Sequence, residues 1–341
     1  MAKRRTTIAW LTALASTVVA GTVACADEIT LYSTREANLV EPVIAAFTEA
    51  SGIKVKTIFV EDSLVKRLTT EGPASPADVL LTIGLDKTTQ LAARGLTQAF
   101  ASPKLDQAVP ANLRSANSQW LSLAIRPRLV MARKDSPFSA VTYEDLADPK
   151  WRGKLCMRSP LHQNNVALVA AYLVHHGAEA TEGWLNGLKG NLAHKPGGKD
   201  NDVIREIAEG NCAIGIGNTV ALAQLRDGRE GEDRRASALT VKAVPTVFED
   251  GGSHANLTGA AIARHAPHLA AAQTFLEFLV TPAAQTIFAA PELEYPVVAA
   301  ATRHPIVNEI GSFPTDALPI DRIAAHQAAA ISLIRKVGFD E

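Results

Sequence analysis

This sequence predicts an α/β fold in two domains, and three observations carry the prediction. Beyond the first 26 residues, short apolar or alternating runs are separated by amphipathic stretches in the order strand, helix, strand, helix, strand, the pattern of a parallel sheet with covering helices. The order strand, polar turn, helix recurs after residue 150. A long apolar run, LSLAIRPRLVMARKD from Leu121, sits near the middle of a 341-residue chain, where it can cross from one domain to another.

Taken in order, Glu28 to Tyr32 alternates as a strand, Ser33-Thr34-Arg35-Glu36 is a polar turn, and Leu39 to Ala50 carries apolar residues at helical spacing until Gly52. Ile53 to Val60 reads as a second strand, Ser63 to Thr70 as a short helix, and Ala77 to Thr82 as a third, largely apolar strand. Leu85 to Arg94 is an amphipathic helix, and Pro103 and Pro110 mark a loop before Trp120 and the long strand, which only Arg126-Pro127-Arg128 interrupts. Tyr143 to Trp151 predicts a short helix ending before Pro149, Lys154 to Met157 a strand, RSPLHQNN a turn, and Val166 to Val174 and Trp184 to Lys189 helices. Lys195 to Asp202 is a glycine-rich polar loop.

Gly210 to Leu225, GNCAIGIGNTVALAQL, predicts a buried strand that runs into a helix through a Gly-Asn-Thr turn. A helix start carries unpaired N–H groups suited to an oxygen-rich or anionic ligand, and Asn218 or Thr219 also reads as an ordinary cap. Arg226 to Arg235 is charge-dense and reads as a solvated loop, Leu239 to Pro245 as a strand returning toward the first domain, His254 to Ala263 as a small-residue strand or loop, and His268 to Leu279 as an amphipathic helix.

Lys3, Arg4 and Arg5, an apolar run from Ile8 to Val23 and Ala24-Cys25-Ala26 predict a secretory signal peptide over residues 1–26, with cleavage after Ala26. Arg4-Arg5 fits the general route or the twin-arginine route, and Cys25 also admits a lipidated form, although Thr22 stands where that signal places a larger aliphatic residue. The whole chain carries a net charge of −1, and removing three basic residues makes the mature part slightly more acidic. With no basic block interleaved with aromatics and no later run of ~18 apolar residues, nucleic-acid binding and a membrane span are excluded as expectations. The two remaining cysteines, Cys156 and Cys212, predict one disulfide in an exported protein, with two buried thiols as the other reading.

Gly215-Ile216-Gly217 begins like a dinucleotide fingerprint, but Val220 occupies the third glycine position. His265 with His268, and His175 with His176, have no carboxylate or cysteine at ligand spacing, and no nucleophile motif supports a hydrolase. No enzyme and no cofactor is therefore expected.

ITLYSTRE, SPADVLLT, IRPRLVMARKD, YEDLADPKWRGKLCMRS, CAIGIGNT, FLEFLVTPAAQTIFA with EYPV behind it, and the tail from Phe313 to Phe339 together resemble the ferric-ion-binding members of the periplasmic solute-binding proteins that serve ABC importers. The likeness covers essentially the whole mature chain. It implies a two-lobed, type II-like periplasmic binding protein, each lobe a mixed sheet with flanking helices, joined by hinge strands, with the ligand enclosed between them. The lobes implied are residues 27–124 plus 246–300 and residues 125–245 plus 301–341. An inner-membrane ABC permease is the partner implied, with a monomer in the periplasm.

That family holds iron chiefly through tyrosine phenolates, hard anionic donors suited to a small trivalent ion. The matching positions here are Ala37, Asn164, Val220 and Ala221, and Glu36 replaces the histidine beside the first of them. Arg35, Glu36, Arg126, Ser159, His162, Gln163, Asn164, Asn218 and Thr219 remain around the expected cleft. Arginine forks and helix starts suit an anionic ligand, so the set points to an anionic metabolite or an iron chelate. The alternatives are a low-affinity ferric-iron binder that uses Glu36, His162 and exogenous anions, and a ligand sensor for a membrane receptor.

Overall fold

The computed structural model describes residues 28–61 and 63–339. The signal-peptide and Cys25 expectations lie outside the described residues. In chain order the elements are β1 (Glu28–Ser33), α1 (Ala37–Ser51), β2 (Lys54–Phe59), α2 (Leu64–Glu71), β3 (Val79–Ile83), α3 (Leu85–Ala93), β4 (Thr97–Gln98), α4 (Pro103–Ala108) and β5 (Leu121–Arg133). Next come β6 (Val141–Thr142), β7 (Leu155–Met157), α5 (Gln163–Asn191), α6 (Asp200–Glu209), β8 (Ile214–Asn218), α7 (Thr219–Arg226), α8 (Glu232–Leu239), β9 (Val241–Val244) and β10 (Thr246–Val247). The remainder is β11 (Ala255–Ala263), α9 (Leu269–Leu279), α10 (Pro282–Ala289), β12 (Tyr295–Pro296), α11 (Pro305–Ile310), α12 (Ile320–Ala325) and α13 (Gln327–Val337).

These elements form two lobes, each a mixed sheet with flanking helices, and β5 belongs to both. Its first half pairs antiparallel with β11, from Leu121↔Ala260 to Pro127↔Ala255, and its second half pairs with β8 and β9, from Arg128↔Asn218 onward. Pro127 has no N–H to donate, so it sits where the ladder passes from one sheet to the other. The strand order is β2-β1-β3-β11-β5-β8-β7. Parallel pairs β1 with β3 and β7 with β8 place the strand ends that lead into helices at one edge of each lobe.

Local sequence explains most of the packing. Val40, Val43 and Phe47 form the buried stripe of α1, and Phe47 meets Phe275 of α9 at 4.7 Å between ring centroids. Burying one such side chain contributes about 1.5–3 kcal/mol. Gly52, at φ 75°, ends α1 with its N–H donating to the Thr48 carbonyl. All nine residues of β11 are buried, which explains why its small residues read ambiguously: it is a central strand covered on both faces. Among the described residues no helix is long and apolar enough to cross a membrane.

Three local expectations change. The two helices expected around residues 166–189 are continuous in α5 except for a kink at Gly177, φ 77°, and Tyr172 and Trp184 stack across that kink at 4.1 Å. The second half of the charge-dense segment is not loop but α8, preceded by Gly228 and Gly231 at positive φ and opened by Glu232 and Asp233 in its first turn. Residues 143–151 form two 3₁₀ turns, Glu144–Ala147 and Pro149–Trp151, in place of one helix, because Pro149 cannot continue a helix from Asp148.

Candidate functional site

The cleft between the lobes is bordered by four turns that leave parallel strands. In one lobe Ser33 is in register with Leu81, so the turns after β1 and β3 lie side by side, tied by the Ile83 N–H donating to Thr34 Oγ1 at 2.9 Å. In the other, Met157 is in register with Ile216, so the turns after β7 and β8 also emerge together. Ligands of open α/β sheets collect at such strand ends. The two sides approach closely: a Cβ added at Gly84, φ 113°, would lie 2.6 Å from Asp86 Oδ1 and 3.5 Å from Gln163 Nε2 of α5.

The corner after β7 is built around buried charge. Arg128, fully buried, grips Asp200 with contacts of 3.1–3.3 Å and donates from Nε to Asn165 Oδ1 at 2.7 Å. Asn165 in turn donates to the Arg158 and Ser159 carbonyls at 3.1 and 2.9 Å, which fixes the RSPLHQNN turn. Arg158 is 18% exposed, its guanidinium is 3.8 Å from Asp200, and its Nε is buried without a hydrogen-bond partner. Two guanidinium groups thus share one carboxylate, and the corner is positive. It also holds the start of α5, whose dipole adds to that field.

His162 caps α5, its Nδ1 accepting the Asn164 N–H at 3.2 Å. A backbone N–H only donates, so Nδ1 is unprotonated and the neutral ring carries its hydrogen on Nε2. Burial, with Arg158 and Arg128 adding to it, holds the His162 pKa down at about 4. At neutral pH this ring therefore offers Nε2–H to an anion and no lone pair to a metal ion.

The turn after β8 is occupied by its own capping. Asn218 Oδ1 accepts the Val220 N–H at 3.0 Å, and the Thr219 hydroxyl, fully buried, donates to the Pro127 carbonyl at 3.2 Å. Val220 and Ala221 are buried in the first turn of α7.

On the opposite side Arg35 is fully buried: it is ion-paired with Glu294, donates to the Phe288 carbonyl at 3.2 Å, and lies 4.3 Å over the Phe288 ring. Arg126 reaches Glu294 at 2.5 Å and Glu292 at 3.1 Å. Burial would raise the Glu294 pKa, but Arg35, Arg126 and the Thr258 hydroxyl outweigh it and hold it at about 2. Neither arginine presents an open fork; both brace the hinge-side floor beneath the cleft. Glu36 and Ala37 are exposed at the start of α1, and the Glu36 side chain makes no cap hydrogen bond.

The structure therefore brings Ser159, His162 and Asn164 together on one corner, places Asn218 and Thr219 on the adjacent strand end, and sets Arg35 and Arg126 into a buried ion cluster. Sequence reasoning missed Arg158 as a cleft residue. Its signal was its position, first in the turn after a predicted strand and directly before Ser159. A cavity of about 370 Å³ lies elsewhere, lined by Ile125, Pro127, Tyr295, Arg303 and Phe313 among others, and holds none of these groups.

Comparisons with known proteins agree with this geometry. The model of the family described as bacterial extracellular solute-binding protein matches residues 29–290. Iron uptake protein A1 of Synechocystis sp. is 34% identical over 316 residues, covering 92% of this chain and 88% of that protein. Among solved structures, a Bordetella ferric binding protein is 45% identical with a TM-score of 0.90, covering 92% of this chain and all of that one. A Trichodesmium protein, IdiA or FutA, solved in complex with iron and citrate ligands, is 35% identical with a TM-score of 0.88, covering 92% and 99%.

Proposed function

The chain belongs to the bacterial extracellular solute-binding proteins, among the iron-family members that serve ABC importers, and we propose that it carries ferric iron without phenolate ligands, as a complex with an oxygen-donor anion. The observation that carries this reading is the Arg158–His162–Asn164 corner, positive and without a phenol. Ferric iron needs hard anionic oxygens, and a carboxylate chelator such as citrate supplies them. The chelator's outer carboxylates are then held by the Arg158 guanidinium, the His162 Nε2–H, Asn164, and the half-buried start of α5, while Glu36 from the facing lobe offers one carboxylate oxygen to the ion. Asn218, Thr219, Ser159, Arg35 and Arg126 shape the walls and floor. The iron-and-citrate complex of the Trichodesmium relative supports this choice over a purely organic metabolite.

The role is binding and delivery, not catalysis: the two lobes, whose sheets meet within β5 between Pro127 and Arg128, close on the ligand in the periplasm and present it to a membrane permease.

Isothermal titration with ferric citrate, citrate alone, free ferric salt and fructose 6-phosphate tests the proposal. Ferric citrate binds one per chain; Arg158→Ala weakens it by about tenfold or more, as expected for a charge-assisted contact worth ~1.5–3 kcal/mol. Tight stoichiometric uptake of bare ferric ion with a visible charge-transfer band, or tighter binding of the sugar phosphate than of ferric citrate, would overturn it.

A further inference from the structure

Away from the cleft, four side chains of one lobe direct their donor atoms toward a common point. Cys156 lies on β7, Cys212 just before β8, Glu206 on α6, and His194 follows α5; one ligand atom from each lies within 4.8 Å of all the others. The cysteines form a disulfide with their Cα atoms 5.8 Å apart. His194 Nε2 is 3.3 Å from Cys156 Sγ and 3.1 Å from Glu206 Oε2. Its Nδ1 lies 2.9 Å from the Lys195 carbonyl oxygen, and since a carbonyl only accepts, Nδ1 carries a hydrogen.

That backbone carbonyl therefore orients the ring with Nε2 toward the sulfurs, the arrangement by which metal-bound histidines are held in place. Two thiolates, one imidazole and one carboxylate make a tetrahedral set for zinc, whose bonds of about 2.0–2.3 Å put neighbouring donors ~3.3–3.8 Å apart. The His194 contacts of 3.3 Å to Cys156 Sγ and 3.1 Å to Glu206 Oε2 lie close to that range, and all four donors lie within 4.8 Å of one another. A Cα separation of 5.8 Å suits a disulfide and equally suits two thiolates on one ion. Access comes from the solvent side, where the His194 side chain is 46% exposed and that of Glu206 23%, while both sulfurs are buried beneath them.

We propose that Cys156, Cys212, His194 and Glu206 form a zinc site gated by the disulfide, separate from the iron cleft. Reduction by a dithiol moves two electrons to the disulfide, breaks its S–S bond and leaves two thiols, while the dithiol becomes the oxidised partner. Binding of a divalent ion then releases the two thiol protons and the His194 Nε2 proton that Glu206 had accepted as a hydrogen bond, and the ion takes Sγ of both cysteines, Nε2 of His194 and one Glu206 oxygen. In the oxidised chain the sulfurs are mutually bonded and the site is closed to metal.

The test uses the mature protein, anaerobically, with and without tris(2-carboxyethyl)phosphine. This phosphine supplies the two electrons and leaves as its oxide, with oxygen from water. Cobalt(II) serves as the probe and zinc as the competitor. The reduced protein takes up one cobalt per chain with thiolate-to-cobalt charge-transfer absorption and intense visible bands of tetrahedral symmetry, which zinc removes; the oxidised protein shows neither. Cys156→Ser, which leaves one thiolate, reduces the charge-transfer signal, and Cys156→Ser with Cys212→Ser abolishes it. His194→Ala, at an exposed position, and Glu206→Gln, a near-isosteric change at a half-buried one, both compatible with folding, weaken cobalt binding by about tenfold or more. A reduced protein with no thiolate–cobalt absorption, oxidised protein binding as well as reduced, or His194→Ala and Glu206→Gln binding like the parent would each overturn the proposal.

Discussion

Two histidines show how far one hydrogen bond decides the chemistry of a residue. The His162 Nδ1 accepts from a backbone N–H, whereas the His194 Nδ1 donates to a backbone carbonyl and its Nε2 donates to Glu206, so the first ring is held neutral and the second is pushed toward its protonated form until a metal ion displaces the Nε2 hydrogen. The sequence shows two histidines and nothing of this difference. Arg35 and Arg126 make the same point for charge. Both were expected at the ligand, yet Glu294, which neutralises them, lies 259 residues from Arg35 along the chain, and no local pattern announces that pairing. Because the folded Glu294 pKa is depressed to about 2, its contribution to stability is fully present above the unfolded value of ~4.3 and is lost as pH falls from there through about 2. Glu294→Gln leaves two buried guanidinium groups short of their carboxylate and is expected to cost about 3–5 kcal/mol at neutral pH. Urea unfolding of both proteins between neutral pH and about pH 2 checks it, since the gap between them narrows on acidification as wild-type Glu294 becomes protonated. A gap that is constant with pH would mean that the carboxylate's charge is not what stabilises the cluster.

At the scale of elements, β8 is held as closely as any segment of the fold. A Cβ on Gly215 would lie 2.4 Å from Val203 Cγ1 and 2.9 Å from the Cys156 carbonyl oxygen, because α6 and β7 both press on this strand. Gly215→Ala is therefore expected to destabilise the lobe by about 1–3 kcal/mol through overpacking, read as a lower unfolding midpoint in urea with an unchanged slope. An unchanged midpoint would show that Val203 and β7 yield without cost. The glycine was visible in the sequence, but read only as punctuation of a strand; its close neighbours come from elements up to 59 residues away. The alternating strands, the amphipathic helices and the crossing strand β5 were legible because each is a local period of two or of 3.6 residues. α8 was not, because its face is almost wholly polar and solvent-exposed and carries no apolar stripe to read.

At the scale of the whole molecule, two lobes meeting at a cleft were legible from the order of elements and from family resemblance, and the cleft's charge was not, since it depends on which arginines are already paired. That charge sets the chemistry of the ligand. Arg128 and Arg158 share Asp200 beside the neutral His162, with Asp202 acting on Arg158 from farther off, so under the proposed reading a bare trivalent cation meets two guanidinium groups in one lobe and the exposed Glu36 carboxylate in the other. Restoring phenolates tests whether this is what distinguishes the chain from its tyrosine-bearing relatives. Val220→Tyr with Ala221→Tyr puts two donors on one lobe only, in a buried helix turn, and is expected to leave bare ferric ion weakly bound. Adding Asn164→Tyr and Ala37→Tyr brings a third donor on the same side and one from the facing lobe, so that closure completes an anionic oxygen shell around the ion. The fourfold variant is expected to show a visible phenolate-to-iron absorption and stoichiometric uptake in titration with ferric salt, and the double variant neither. If the double variant alone binds iron tightly, the cleft's positive corner is not the obstacle, and the missing phenolates of one lobe account for the whole difference.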